Sequence, residues 1–219
     1  MTRSASAIPT ARASTSAAAR RADLRRRQTE LARELVLDVA EELFAARGYS
    51  GTTMRQIADA AGFSVATVYE FVPGKEALVA AIMDRHGTRL VELHEQVVRE
   101  VAGARPQLDA IVDLQADYHL GHPNFGRLFQ HTTGLSFLTI EAAMNDTARR
   151  RLHEVLVLLE DLFGRGIAAG EFAPGDVSTY AIVFSSIMQG YLFRVLFQHA
   201  ETPDDRVQLH VIVGRSFGA

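Results

Sequence analysis

Between Thr53 and Glu76 the chain starts a helix, stops it, starts a second and stops that one too, so any fold must house two short helices and a tight turn here. Thr53 stands three residues ahead of Gln56, the spacing at which each side chain satisfies a backbone N–H left free by the first helical turn. Ile57, Ala58 and Ala61 give that helix one apolar stripe, and Gly62 suits the left-handed backbone that ends it. Ser64 is placed to cap a second helix of about two turns, with Val68 and Val72 facing inward four residues apart and Pro73-Gly74 as the stop.

The outward side of the second helix carries Val65, Ala66, Thr67 and Tyr69, small or hydroxyl-bearing residues where charge would serve solubility better. Small residues let a helix N-terminus approach a groove closely, thymine methyls accept apolar contacts, and Thr and Tyr hydroxyls bond phosphate oxygens. These features describe a helix-turn-helix whose second helix reads DNA.

The residues Ala58, Ala61, Gly62, Phe63, Ser64, Thr67, Val68, Tyr69, Val72, Lys75, Glu76 and Leu78, at their spacing, resemble the DNA-binding segment of the TetR family of bacterial transcriptional regulators. The resemblance covers about residues 30–90. Many family members have Gly where Ala66 sits and Phe where Val72 sits, which leaves the base preference open. The resemblance implies an all-α protein of about nine helices: a three-helix DNA-binding domain at 29–75, then a helical effector-binding and dimerisation domain at 76–219. Within the head it implies phosphate contacts from Thr53 and Tyr69, then Lys75. Arg55 corresponds to an arginine that reads guanine in some relatives, Val65, Ala66 and Thr67 are placed to meet base edges, and Ser64 is counted among the DNA-binding residues. Phe71 faces either the core or the DNA backbone.

Charge follows the same division. The net charge is -3, yet residues 1–75 carry 11 basic and 8 acidic side chains against 12 and 18 in the remainder. The positive charge therefore lies on the helix-turn-helix side. With no cysteine, disulfides and thiolate metal sites are excluded, and a reducing bacterial cytoplasm is the expected compartment. Residues 1–28 hold few large apolar side chains, seven Arg and one Asp, and read as a disordered arm, either solvated or reaching for phosphates. Their Ser/Arg-rich, acid-poor composition also mimics a transit peptide, which a bacterial type of regulator downstream argues against. No secretory apolar region is present.

Further on, Leu31, Leu35, Val36, Val39, Leu43 and Phe44 predict a supporting helix ended by Gly48. A long helix follows Lys75, with Leu78, Val79, Ile82 and Met83 inward. Pro106 suits the start of another helix, Gly121-His122-Pro123 stops it, and a short helix carries Phe125, Leu128 and Phe129. Asn145-Asp146 is a cap for a helix through Phe163, ended by Gly170. Asp176–Phe197 is apolar nearly all round, and Thr202-Pro203-Asp204-Asp205 opens a last helix. A helix of that kind must be covered on two sides. Ser185, Ser186, Gln189 and Arg194 argue against a membrane span. By resemblance these last two helices form the subunit interface of a homodimer, and a dimer is what a palindromic DNA site requires.

By the same resemblance the body is a receptor for a small, mostly apolar effector, bound in helices that line the pocket in relatives. Phe125, Phe129, Phe137, Met144, Phe184, Met188 and Tyr191 are the candidate apolar contacts, and Gln115, Tyr118 and His122 the candidate polar ones. Each of them also suits plain core packing. Enzymatic readings are weaker. Gly164-Arg165-Gly166-Ile167-Ala168-Ala169-Gly170 mimics a dinucleotide fingerprint, but no strand precedes it and its spacing is one residue too long. His119 and His122 lack a third ligand at motif spacing, so no metal or cofactor is expected. The rival readings are a constitutive or activating DNA-binding regulator without a ligand, and a helical enzyme with an accessory DNA head.

Overall fold

The computed structural model of the protein describes residues 11–133, 146–198 and 200–218, and every regular element among them is helical. In chain order these are α1 (Ala11–Arg47), α2 (Met54–Ala61), α3 (Val65–Phe71), α4 (Lys75–Glu100), α5 (Ala104–Gly121), α6 (Pro123–Thr133), α7 (Asp146–Ala168), α8 (Val177–Phe193) and α9 (Pro203–Phe217). A π-helical segment, Arg194–Gln198, continues α8; nothing in the sequence pattern announced it.

Residues 11–28, part of the segment expected to be disordered, are helical from Ala11 onward, while residues 1–10 lie outside the described residues. Ala and Arg are both strong helix formers, so the segment needs no apolar core to extend a helix nucleated by the packed half of α1. Leu31 and Leu35 also depart from expectation: they are 71% and 46% exposed, while Leu37, absent from the predicted face, is 1% exposed. Side chains advance about 100° per residue, and once Val36, Leu37, Ala40 and Phe44 define the buried stripe, Leu31 and Leu35 point away from it.

The head's core does not stop at residue 75. Val36, Leu37, Ala40 and Phe44 of α1 pack with Ile57, Ala58 and Val68 of the helix-turn-helix, with Leu78, Ile82 and Met83 of α4, and with Phe125 and Leu128 of α6. Head and body thus share one apolar cluster, and α6 is wedged against α1. A second cluster holds the body together, centred on Leu108, Phe163, Phe172, Phe184 and Phe217.

Local chemistry places the breaks where the sequence put them. α5 ends at Gly121 and α6 begins at Pro123. Asp176 caps α8 by accepting from the Thr179 N–H at 2.8 Å, and Thr202 and Asp205 form a capping box on α9. The glycine-rich end of α7 is a packing device. A Cβ on Gly166 would lie 2.1 Å from the Phe172 ring, so only glycine lets the buried Phe172 close over the helix end.

Candidate nucleic-acid interface and ligand cavity

The two short helices are fixed at their ends by the residues that announced them. Thr53 Oγ1 accepts from Gln56 N at 3.3 Å while Gln56 Oε1 accepts from Thr53 N at 2.9 Å, and Gly62 closes α2 at φ 74°. Ser64 Oγ accepts from Thr67 N at 3.1 Å, opening α3. Behind them, the fully buried Thr52 donates from Oγ1 to the carbonyls of Leu43 and Gly48, tying the α1–α2 link to α1. That tie had no signal in the sequence, because a lone threonine in a loop follows no period.

This scaffold turns one set of side chains outward. Val65 is 36% and Tyr69 49% exposed, and Thr53, Ser64 and Ala66 are exposed too. Arg55 extends from α2 with only a 4.0 Å pairing to the equally exposed Asp59. Thr67 is half-buried and hydrogen-bonded to Ser64. Two assignments change character. Phe71 turns toward the core, edge-on to Phe63 at 5.8 Å, so the alternative of facing the DNA backbone falls away. Lys75 is half-buried, donates to the Tyr49 carbonyl at 2.9 Å and lies 4.3 Å over the Tyr49 ring, so it buttresses the loop before α2.

In the body, a cavity of about 100 Å³ lies between α4, α5, α6, α7 and α8. Of the predicted contacts, Gln115, Phe125, Phe129 and Met188 line it. Four others do not. Tyr118 is drawn off by His86, its OH 2.8 Å from Nδ1, and His122 stacks on the Tyr118 ring at 4.4 Å. Phe184 is sealed in the second core cluster against Phe163. Tyr191 donates to Glu201 and receives a hydrogen bond from Arg206. Phe137 and Met144 lie outside the described residues.

The sequence reading missed the cavity's α4 wall, Met83, Leu90 and His94, together with His119 of α5 and Leu152 and Val155 of α7. His94 and His119 sit at inward helical positions, a visible signal that their polarity masked. Both are buried, and burial pushes both imidazoles below the ordinary histidine range, His119 to about 4.

A polar contact joins this cavity wall to the reading head. Phe125 stacks on His86 at 4.0 Å; His86 Nε2 lies 3.0 Å from Glu41 Oε2 on α1, and Arg85 donates to the same carboxylate at 2.7 Å. Burial alone would raise the Glu41 carboxyl, but the hydrogen bonds and charges of His86 and Arg85 outweigh it and hold the group below the usual glutamate range.

His119 and His122 each spend Nδ1 on a backbone carbonyl one turn back, and among the described residues no three His, Cys, Asp or Glu gather around a common point. Among them, one stretch, Val177–Gln198, is long and apolar enough to cross a membrane, but Ala181, Phe184 and Met188 bury one side of it in the body.

Residues 36–82 match the family described as bacterial regulatory proteins, tetR family. An uncharacterised HTH-type transcriptional regulator of Mycobacterium tuberculosis is 45% identical over 64 residues, 29% of this chain and 32% of that relative, so the match spans about a third of its length. The fatty acid metabolism regulator protein of Bacillus subtilis is 24% identical over 140 residues, 64% of this chain and 70% of its own. The fold extends further: the crystal structure of FadR from Bacillus subtilis in complex with stearoyl-CoA superposes with a TM-score of 0.70 at 22% identity, over 82% of this chain and 94% of that one. With the capped helix pair inside the matched segment and the same all-helical body behind it, the chain carries the DNA-binding segment of the tetR family and shares the fold of solved tetR-family regulators.

Proposed function

We propose that the protein is a DNA-binding transcriptional regulator, a repressor that holds a palindromic operator as a homodimer and is released when a small, largely apolar effector fills the cavity. The observation that carries this reading is the outward start of α3, where Val65, Ala66 and Tyr69 are exposed. A short helix with so little bulk at its N-terminal end fits the major groove, where its side chains meet base edges. Thr53 and Tyr69 supply phosphate contacts, and Arg55 reads a base from α2.

The test uses the duplex upstream of the chain's own coding region. Binding measured by fluorescence anisotropy should weaken steeply with salt, because phosphate contacts release counterions. Tyr69→Phe should weaken binding to all sequences alike, whereas Arg55→Ala should relax preference at one base pair per half-site, a discrimination of about 1–3 kcal/mol. Salt-insensitive or absent binding by folded protein would sink the regulator reading, and a uniform loss in the arginine variant would sink the assignment of Arg55.

The homodimer is supported by what α8 and α9 leave uncovered. Ile182 and Val183 on α8, and Val207, Val211 and Ile212 on α9, are between 37% and 57% exposed. Large apolar side chains concentrated on two adjacent helices are the usual mark of an interface. Ile212→Glu, which places a charge there without touching the buried Leu209 and Val213, is expected to give a folded monomer by sedimentation and to cost at least about tenfold in operator affinity. A variant that remains dimeric would move the interface elsewhere.

Release requires that occupancy favour a DNA-incompetent arrangement, since a ligand shifts an equilibrium only by its differential affinity. The stack of Phe125 on His86, and the grip of His86 and Arg85 on Glu41, is the continuous contact by which the cavity reaches α1.

A further inference from the structure

The hydrogen-bonding sense of the cavity wall can be worked out atom by atom from α4 to α5. His94 Nδ1 lies 2.7 Å from the Leu90 carbonyl, which only accepts, so Nδ1 carries the proton. His94 is buried and burial disfavours its charged form, so Nε2 is a bare lone pair. Gln115 Nε2, at 3.0 Å, must be its donor, which fixes the amide with Oε1 turned the other way. Among the described residues no donor reaches that Oε1.

One turn along α5 the pattern repeats. His119 Nδ1 lies 2.8 Å from the Gln115 carbonyl and therefore donates, while His119 Nε2 is buried without a partner. Burial keeps this ring neutral near pH 7, so Nε2 is also an acceptor. Two acceptors without donors thus stand four residues apart on one face of α5, and both residues line the cavity. The cation at the rim does not offset them: Arg151 Nε donates to Asp84 and its Nη1 to Glu154, each at 2.9 Å. Leu90, Phe129 and Met188 make much of the remaining wall apolar.

We propose that this cavity selects an uncharged, mostly apolar molecule that presents a hydrogen-bond donor, a hydroxyl or N–H, to Gln115 and His119. The proposal rests on the cavity being the effector site. A carboxylate placed there would set its lone pairs against two others, with no unpaired cation among the described lining residues to hold it. An ether or ester would leave the acceptors unpaired. A hydroxyl satisfies one of them and can accept in turn from the rotatable Ser185, which also lines the cavity.

The probes are octan-1-ol, its methyl ether and octanoate, titrated calorimetrically into the full-length protein at pH 7.5. The alcohol should bind about fivefold to tenfold more tightly than the ether, the range expected for one net neutral hydrogen bond, and octanoate should bind more weakly still. Gln115→Leu and His119→Phe should each shrink the gap between alcohol and ether. The comparison in the unaltered protein and in Gln115→Leu stands even where His119→Phe fails to fold. An ether that binds as well as the alcohol, a preference for octanoate, or a gap that survives both substitutions would overturn the proposal while leaving the cavity a ligand site. Failure of all three probes to bind would remove the effector site and this inference together.

Discussion

Replacing Phe44 by alanine is expected to lower the unfolding free energy by about 3–5 kcal/mol, the cost of deleting a fully buried aromatic side chain whose surroundings cannot collapse. Phe44 is 0% exposed and stacks on Tyr49 at 5.9 Å, in the cluster where α1, the helix-turn-helix, α4 and α6 meet. The cavity left behind would border four elements that also hold one another, so no single one can move in to fill it. Urea denaturation measures the loss directly. Leu31→Ala, on the same helix at 71% exposure, serves as the control and should stay within about 0.5 kcal/mol of the unaltered protein. A loss below about 1 kcal/mol for Phe44→Ala would show that the head's core is looser than described. Operator binding should fall with stability, because the same cluster holds α3 in place.

Acidification should cost stability well before the carboxylates titrate. His119 is held neutral by burial, with its midpoint at about 4 against an ordinary value of 6.5. Above pH 6.5 neither the folded nor the unfolded ring is charged, so pH has no effect through this group. Between 6.5 and 4 the unfolded chain takes up a proton that the folded one refuses, and stability falls with pH; below 4 both forms are protonated and the loss levels off. The full change is about 3 kcal/mol, and about 2 kcal/mol of it accrues by pH 5. His94, shifted in the same direction by the same cause, adds to it. Urea midpoints at several values between pH 7.5 and 5 test this. His119→Phe should flatten the slope, and an unchanged slope in that variant would mean the ring is not neutral in the folded state.

The helix-turn-helix was legible because each of its boundaries is set by local chemistry. Thr53, Gln56, Gly62, Ser64 and Pro73 act on their own neighbours, so their roles survive without knowledge of the fold. The same holds for the α5–α6 break at His122-Pro123 and for the cap at Thr202. What the sequence did not disclose depends on partners far along the chain. The exposure of Leu31 and Leu35 follows from which stripe of α1 meets α6, and apolar periodicity cannot choose between stripes so close in angle. The cavity was half-read for a related reason. Aromatic character singled out Tyr118, Phe184 and Tyr191, yet each satisfies its polar or apolar demands within the surrounding helices. His94, which no pattern singled out, and His119, weighed only as a metal ligand, form part of the wall. Glu41, unremarked in the sequence pattern, is enclosed by His86 and Arg85, 45 and 44 positions away.

The 37 residues of α1 make a rod about 55 Å long at 1.5 Å per residue. Glu41 lies near its C-terminal end, and the arginines from Arg20 to Arg27 lie 21 to 14 residues back along it. Were α1 to swing by about 10° around that gripped carboxylate, Arg20 would move through about 5 Å and Arg27 through about 4 Å. On the proposed release, a small loosening beside the cavity would be geared up, by length alone, into a displacement approaching the width of a minor groove, about 6 Å.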